Sequence, residues 1–111
     1  MDVEVPTIDV QQLKIRQEKK YEKSFVLLDV RTQEEHELVK LRNSKLIPLD
    51  QLDQSLKDLD KNDDIIVYCH HGMRSYNAAK FLLEKGFTSV SSLEGGIHAW
   101  SLEVDTSLTT Y

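Results

Sequence analysis

Two rhythms of apolar and polar residues alternate along this chain. Phe25-Val26-Leu27-Leu28 and Ile65-Ile66-Val67-Tyr68 are unbroken apolar runs, the pattern of strands covered on both faces. Leu46-Ile47 is a shorter strand candidate stopped by Pro48, and Val90 to Leu93 gives a last one. Pro6 closes an extended N-terminal piece that reads as an edge strand ending near Ile8. Between these runs the spacing turns helical. Asp9 with Gln12 is a capping-box pattern opening a helix through about Glu18, and Thr32 with Glu35 opens another from about Gln33 to Lys40. Asp50 caps a stretch whose apolar residues Leu52, Leu56 and Leu59 share one helix face, and Asn62-Asp63-Asp64 makes the next turn. From about Arg74, Ala78, Ala79, Leu82 and Leu83 mark a further helix, with Gly86 as its left-handed terminator. Gly95-Gly96 is a tight turn ahead of a short helix from Ile97 to Ser101.

Buried strands separated by amphipathic helices predict an α/β fold, a parallel sheet covered on both sides. In such sheets ligands bind beyond the carboxyl ends of the strands. That rule selects two loops, Asp29-Val30-Arg31 and Cys69 to Ser75, and the second holds the only cysteine.

Composition narrows the classes. A chain of 111 residues with 40% apolar and 30% charged residues is one ordinary globular domain. The net charge of -5 argues against nucleic-acid binding, which needs a basic face, and Lys19-Lys20 is diluted by Glu18 and Glu22 as a solvated helix end. The apolar run Ile65 to Cys69 is far too short to span a membrane, so no membrane partner is expected. Met1-Asp2-Val3-Glu4 lacks the basic and apolar regions of a signal peptide, and one cysteine cannot form an internal disulfide. The expected location is the cytoplasm.

Cys69-His70-His71-Gly72-Met73-Arg74-Ser75 carries the candidate chemistry. Cys69 ends a buried strand, and the helix after it aims its N-terminus back at the loop. Unpaired amides there, with those of the loop, make an anion cradle. Gly72 frees the backbone to turn. The cradle and the Arg74 cation are both expected to lower the Cys69 pKa and make thiolate available. A thiolate in such a nest is a nucleophile. The bland alternative is an inert thiol buried at a strand end. His70 and His71 read either as plain loop residues or as substrate contacts. No metal site is expected: Cys69 and two adjacent histidines offer too few ligands, and His36 and His98 show no ligand spacing to them.

These residues carry a family resemblance. The chain resembles the rhodanese homology domain, of the single-domain sulfurtransferase type, from roughly Ile8 to Trp100. Its landmarks are Asp29-Val30-Arg31, Ile47-Pro48-Leu49, Val67-Tyr68-Cys69, Gly72-x-Arg74-Ser75, Leu93-Glu94-Gly95-Gly96-Ile97 and Ala99-Trp100. The resemblance implies a rhodanese-like fold over residues 1–104, with a mostly parallel sheet of about five strands and helices on both faces. Residues 105–111 are then a short C-terminal tail, expected to fray. It also implies that Cys69 takes a sulfur atom from thiosulfate or another persulfide or polysulfide donor and passes it to cyanide, a thiol or a protein acceptor, without a cofactor. Residues His70, His71, Gly72, Met73, Arg74 and Ser75 would bind the substrate, while Asp29 and Arg31 would brace the loop as an ion pair. Trp100 is read as packing.

The chain departs from the family pattern at Val39-Lys40-Leu41-Arg42-Asn43-Ser44, where Gly-His-Ile-Pro-Gly-Ala is usual. Asn43 replaces the second glycine and is the residue best able to keep a left-handed bend. Arg42 replaces a proline. His36 stands in for a packing aromatic and is read as half-buried. Two competing functions follow. One is a non-catalytic interaction module, usually marked by loss of the cysteine. The other is a cysteine-dependent phosphatase or arsenate reductase, whose loop places five residues between cysteine and arginine; here four separate Cys69 from Arg74.

Overall fold

The computed structural model describes residues 3–19 and 24–111. The readings of Met1 and Asp2, and of Lys20 and Glu22 in the charged helix end, lie outside the described residues. The elements follow in chain order: β1 (Thr7–Ile8), α1 (Val10–Glu18), β2 (Val26–Asp29), α2 (Gln33–Leu38), β3 (Lys45–Leu46), β4 (Asp64–Tyr68), α3 (Met73–Glu84), β5 (Ser89–Leu93) and α4 (Gly96–Glu103). The strands form one parallel sheet in the order β1-β5-β4-β2-β3.

The apolar runs sit at the centre because the sheet is covered twice. Alternation along β4 sends Ile65, Val67 and then Cys69 into one core, against Ala78, Ala79 and Leu82 of α3. It sends Ile66 and Tyr68 into the other, with Val10 and Leu13 of α1 and Ile97 and Trp100 of α4. Ile65, Ile66 and Val67 are fully buried, each burial stabilising by roughly 1.5–3 kcal/mol. A run of apolar residues is therefore not one hydrophobic surface but two, and it fixes β4 between β2 and β5.

Both capping boxes form. Asp9 accepts from the Gln12 amide at 2.8 Å, and the Gln12 side chain accepts from the Asp9 amide at 2.8 Å. Thr32 and Glu35 make the same reciprocal pair at 3.2 Å. Asn43 adopts φ 62°, keeping the bend where glycine is usual. One element differs from expectation. The stretch after Pro48 is not an α-helix but two 3-10 turns, Leu49–Gln51 and Asp53–Asp58. Leu52, Leu56 and Leu59 still point into the core beside α3, so the apolar spacing is used while the hydrogen bonding is tighter.

The segment 105–111 is not a frayed end. Leu108 packs against the core of α1 and α4, and the Tyr111 ring lies on His70. No helix among the described residues is long and apolar enough to cross a membrane.

Candidate active site

β4 ends at Tyr68, α3 starts at Met73, and the intervening turn folds back over Cys69. The sulfur accepts hydrogen bonds from the Gly72 amide at 3.1 Å and the Ser75 amide at 3.3 Å. Its own S–H reaches the Ser75 hydroxyl at 3.5 Å. Gly72 has φ 120°, a conformation that strains any side-chain-bearing residue, and this turn presents its amide to the sulfur. Ser75 is fully buried. Its hydroxyl contacts the Gly72 carbonyl at 3.1 Å and the Ser92 hydroxyl of β5 at 2.8 Å, so the first turn of α3 is tied to the sheet. Cys69 itself is 1% exposed.

The floor of the loop comes from the far end of the chain. The Ile97 amide donates to the Cys69 carbonyl at 2.9 Å, and the His98 amide donates to the His70 carbonyl at 3.0 Å. These two amides are at the start of α4, where they have no partner within the helix. Gly96, at φ 60°, permits the approach; a Cβ there would collide with the carbonyl oxygens of Cys69 and His70. Both carbonyls are thus engaged by α4, while loop amides serve the sulfur.

Asp29 and Arg31 form the expected ion pair, with Nη2 to Oδ2 at 2.8 Å and both side chains fully buried. Asp29 also takes the Arg31 Nε at 2.9 Å, the Tyr68 hydroxyl at 3.0 Å and the His36 Nδ1 at 2.8 Å. Burial pushes the Asp29 carboxyl up, but the hydrogen bonds from Arg31 and His36 outweigh it and hold the group below its usual range. Burial and the neighbouring Asp29 charge push the Tyr68 hydroxyl up to about 12. His36 is half-buried, as expected for a residue filling an aromatic position.

Arg31 reaches the loop only through intermediates. Its Nη1 donates to the Tyr111 hydroxyl at 2.8 Å, which in turn donates to Glu35 at 2.6 Å. The Tyr111 ring stacks on His70 with centroids 3.8 Å apart and planes 5° from parallel. Glu35 also takes Arg74 on both oxygens, at 2.6 and 2.9 Å. That bond from Arg74 holds the Glu35 carboxyl well below the usual range against the effect of burial, with the Tyr111 hydroxyl adding to it. The Arg74 guanidinium is turned to Glu35 of α2, and it also interacts through its charge with Cys69.

The other expected substrate residues divide by position. The Gly72 and Ser75 amides meet the sulfur, the Met73 side chain is 79% exposed, and His71 is exposed. Burial, then the neighbouring His71, lowers the pKa of His70. His98, set apart by its sequence spacing, is brought to the loop by α4, with its ring centroid 5.7 Å from that of His70 and 4.8 Å from that of His71. Glu35, His98 and Tyr111 are the residues sequence reasoning missed. Glu35 was visible only as a helix cap.

The family model described as the rhodanese-like domain matches residues 9–103. A thiosulfate sulfurtransferase, GlpE of Coxiella burnetii, is 34% identical over 77% of this chain and 79% of its own. The adenylyltransferase and sulfurtransferase UBA4 of Debaryomyces hansenii is 38% identical over 78% of this chain, which spans only 21% of that larger protein. Among solved structures, a rhodanese-like domain protein from Staphylococcus aureus superposes with a TM-score of 0.81 at 31% identity, covering 96% of this chain and 99% of the other.

Proposed function

The chain belongs to the rhodanese-like domain family, and from that membership we propose that it is a sulfurtransferase that carries sulfur as a persulfide on Cys69. The observation that carries the reading is the convergence of the Gly72 and Ser75 amides on one sulfur atom, at 3.1 and 3.3 Å. Donors so placed stabilise charge on sulfur in a site closed to water, as an oxyanion hole does on oxygen.

The Cys69 thiolate attacks the outer sulfur of thiosulfate. A new S–S bond forms as the donor's own S–S bond breaks, and its electron pair leaves with sulfite. The terminal sulfur of the persulfide then carries the negative charge. An acceptor thiolate, or cyanide, attacks that terminal sulfur and releases Cys69 as thiolate, giving a new persulfide or thiocyanate. Atoms and electrons balance between donor, cysteine and acceptor without a cofactor, and the kinetics are ping-pong. Asp29 and Arg31 act at a distance, as the buried anchor of Tyr111 and of the α2 end that holds Arg74. A cytoplasmic setting fits a carrier whose thiol must stay reduced between turnovers.

One observation favours the interaction-module reading: 1% exposure is what an inert structural thiol has. Against it, an inert thiol needs no pair of amides aimed at its sulfur. The phosphatase reading loses its arginine, since Arg74 is held by Glu35.

Intact mass after incubation with thiosulfate tests the proposal. Wild type is expected to gain one sulfur atom and lose it on adding cyanide, whereas Cys69→Ser gains none. A wild-type chain that gains no sulfur from either thiosulfate or polysulfide overturns the carrier reading in favour of the module.

A further inference from the structure

We propose that His70, His71 and His98 form a binding site for one divalent transition-metal ion of the zinc, nickel or copper type. Each ring offers one nitrogen, and these three atoms lie within 4.8 Å of one another. Zinc–imidazole bonds of about 2.0–2.1 Å place tetrahedral donors roughly 3.3 Å apart, so the rings need to close by about 1.5 Å at most. His71 is exposed, and its ring already lies against His70 and His98, with centroids 3.9 and 4.8 Å away.

A second observation makes this more than a cluster of histidines. Nε2 of His70 and Nδ1 of His98 are shut off from solvent and have no hydrogen-bond partner. Buried polar atoms are nearly always satisfied, and an orphan of this kind calls for an explanation. Two such atoms on adjacent rings, with a third imidazole beside them, are accounted for together by one cation that accepts a lone pair from each. Imidazole nitrogen is the ligand these metals favour, which selects against magnesium or calcium.

The scaffold holds the donors in place. His70 and His98 are joined by the backbone bond of 3.0 Å between them, on the contact that Gly96 permits. The His70 ring is stacked on Tyr111, whose hydroxyl is fixed by Arg31 and Glu35, so its orientation is set before any ion arrives. Three imidazoles leave a coordination position open, the arrangement of sites that take an exchangeable ligand. The site uses imidazole alone and stands independently of whether Cys69 carries sulfur.

Calorimetric titration of the full chain, purified without a polyhistidine tag, with zinc chloride tests this. The set is wild type, Cys69→Ser, His71→Ala and His98→Ala, with circular dichroism confirming that each is folded. One zinc per chain is expected in wild type and in Cys69→Ser, with affinity weakened at least about tenfold in both histidine variants. Cobalt bound to wild type should show a ligand-field spectrum unchanged by Cys69→Ser. Absence of binding by wild type overturns the proposal. So does wild-type affinity in His71→Ala and in a folded His98→Ala, or loss of binding in Cys69→Ser, which would assign the ion to the thiolate. Because His71 is exposed, its variant keeps the test valid even where His98→Ala fails to fold.

Discussion

Glu35 grips the guanidinium of Arg74 with both carboxylate oxygens, at 2.6 and 2.9 Å, so the short helix after β2 clamps the first turn of the helix after Cys69. Glu35→Gln keeps the shape and removes the charge. Because Arg74 is partly exposed, the expected loss of stability is modest, about 1 kcal/mol. A thermal melt should show the midpoint falling by about 4–8 °C. Activity should fall further than that loss explains, because Tyr111 and the first turn of α3 each lose a charged partner while keeping Arg31 and Ser92. An unchanged rate of sulfur transfer to cyanide in a fully folded Glu35→Gln sample would count against that linkage.

Asp29→Asn should be far more damaging. It leaves Arg31 buried without a counter-charge, a situation that costs about 3–5 kcal/mol. Urea unfolding monitored through Trp100 fluorescence measures it directly. A loss below about 1 kcal/mol would mean that Arg31 finds another anion or water.

The acid side of the stability profile follows from the same two carboxyls. Asp29 and Glu35 both have folded pKa values below their ordinary ones of 3.8 and 4.5. As pH falls into that range, the unfolded chain takes up protons before the folded one, so the equilibrium moves toward unfolding. The stabilisation is complete above the ordinary carboxylate range and is lost progressively as pH drops toward the depressed folded values. The share of these two carboxyls should be level from about pH 7 to pH 5 and then decline, less steeply in Glu35→Gln, on top of an earlier decline below about pH 6.5 from His70, whose folded pKa lies below its ordinary value of 6.5.

Gly96→Ala tests whether α4 shapes the loop. The added Cβ meets the carbonyls of Cys69 and His70, and the residue sits at φ 60°. Strain of about 1–2 kcal/mol from the backbone alone is expected, plus the collision. Persulfide formation should drop more than stability does, because the Gly72 and Ser75 amides lose their aim at the sulfur. Preserved persulfide formation in that variant would show that the loop holds its shape without α4.

Cys69→Ala is a poorer control than a loop position suggests. The sulfur accepts two amide hydrogen bonds inside the core, and alanine leaves both amides orphaned at a cost of about 1–3 kcal/mol. Cys69→Ser retains an acceptor and should unfold closer to wild type in urea.

Local rules made much of this molecule legible. The two apolar runs, both capping boxes and the left-handed Asn43 depend on neighbours within a few residues, and each formed as its pattern implied. The Cys69 loop was legible for the same reason, since strand end, Gly72 and helix start are contiguous. What could not be read were partnerships over distance. Glu35 meets Arg74 across 39 positions and Tyr111 across 76, and nothing in the residues around Glu35 distinguishes it from an ordinary cap. His98 joins His70 only because α4 packs its start under the loop. The 3-10 turns after Pro48 are a milder case: one apolar spacing serves either kind of helix when tertiary packing decides between them.

The position of β4 in the sheet has a consequence for how the thiol is exposed. Flanked by β5 and β2 and covered on both sides, β4 is the strand whose amides should exchange with deuterated solvent last, through global unfolding. Cys69 follows it directly. Alkylation of the thiol therefore has two separable routes: a rare one through unfolding of the whole domain, and a frequent one through small excursions of residues 70–72 over a fixed sheet. Reagents that discriminate by size should report the second route alone, and its rate should be indifferent to substitutions that change only the stability of the sheet.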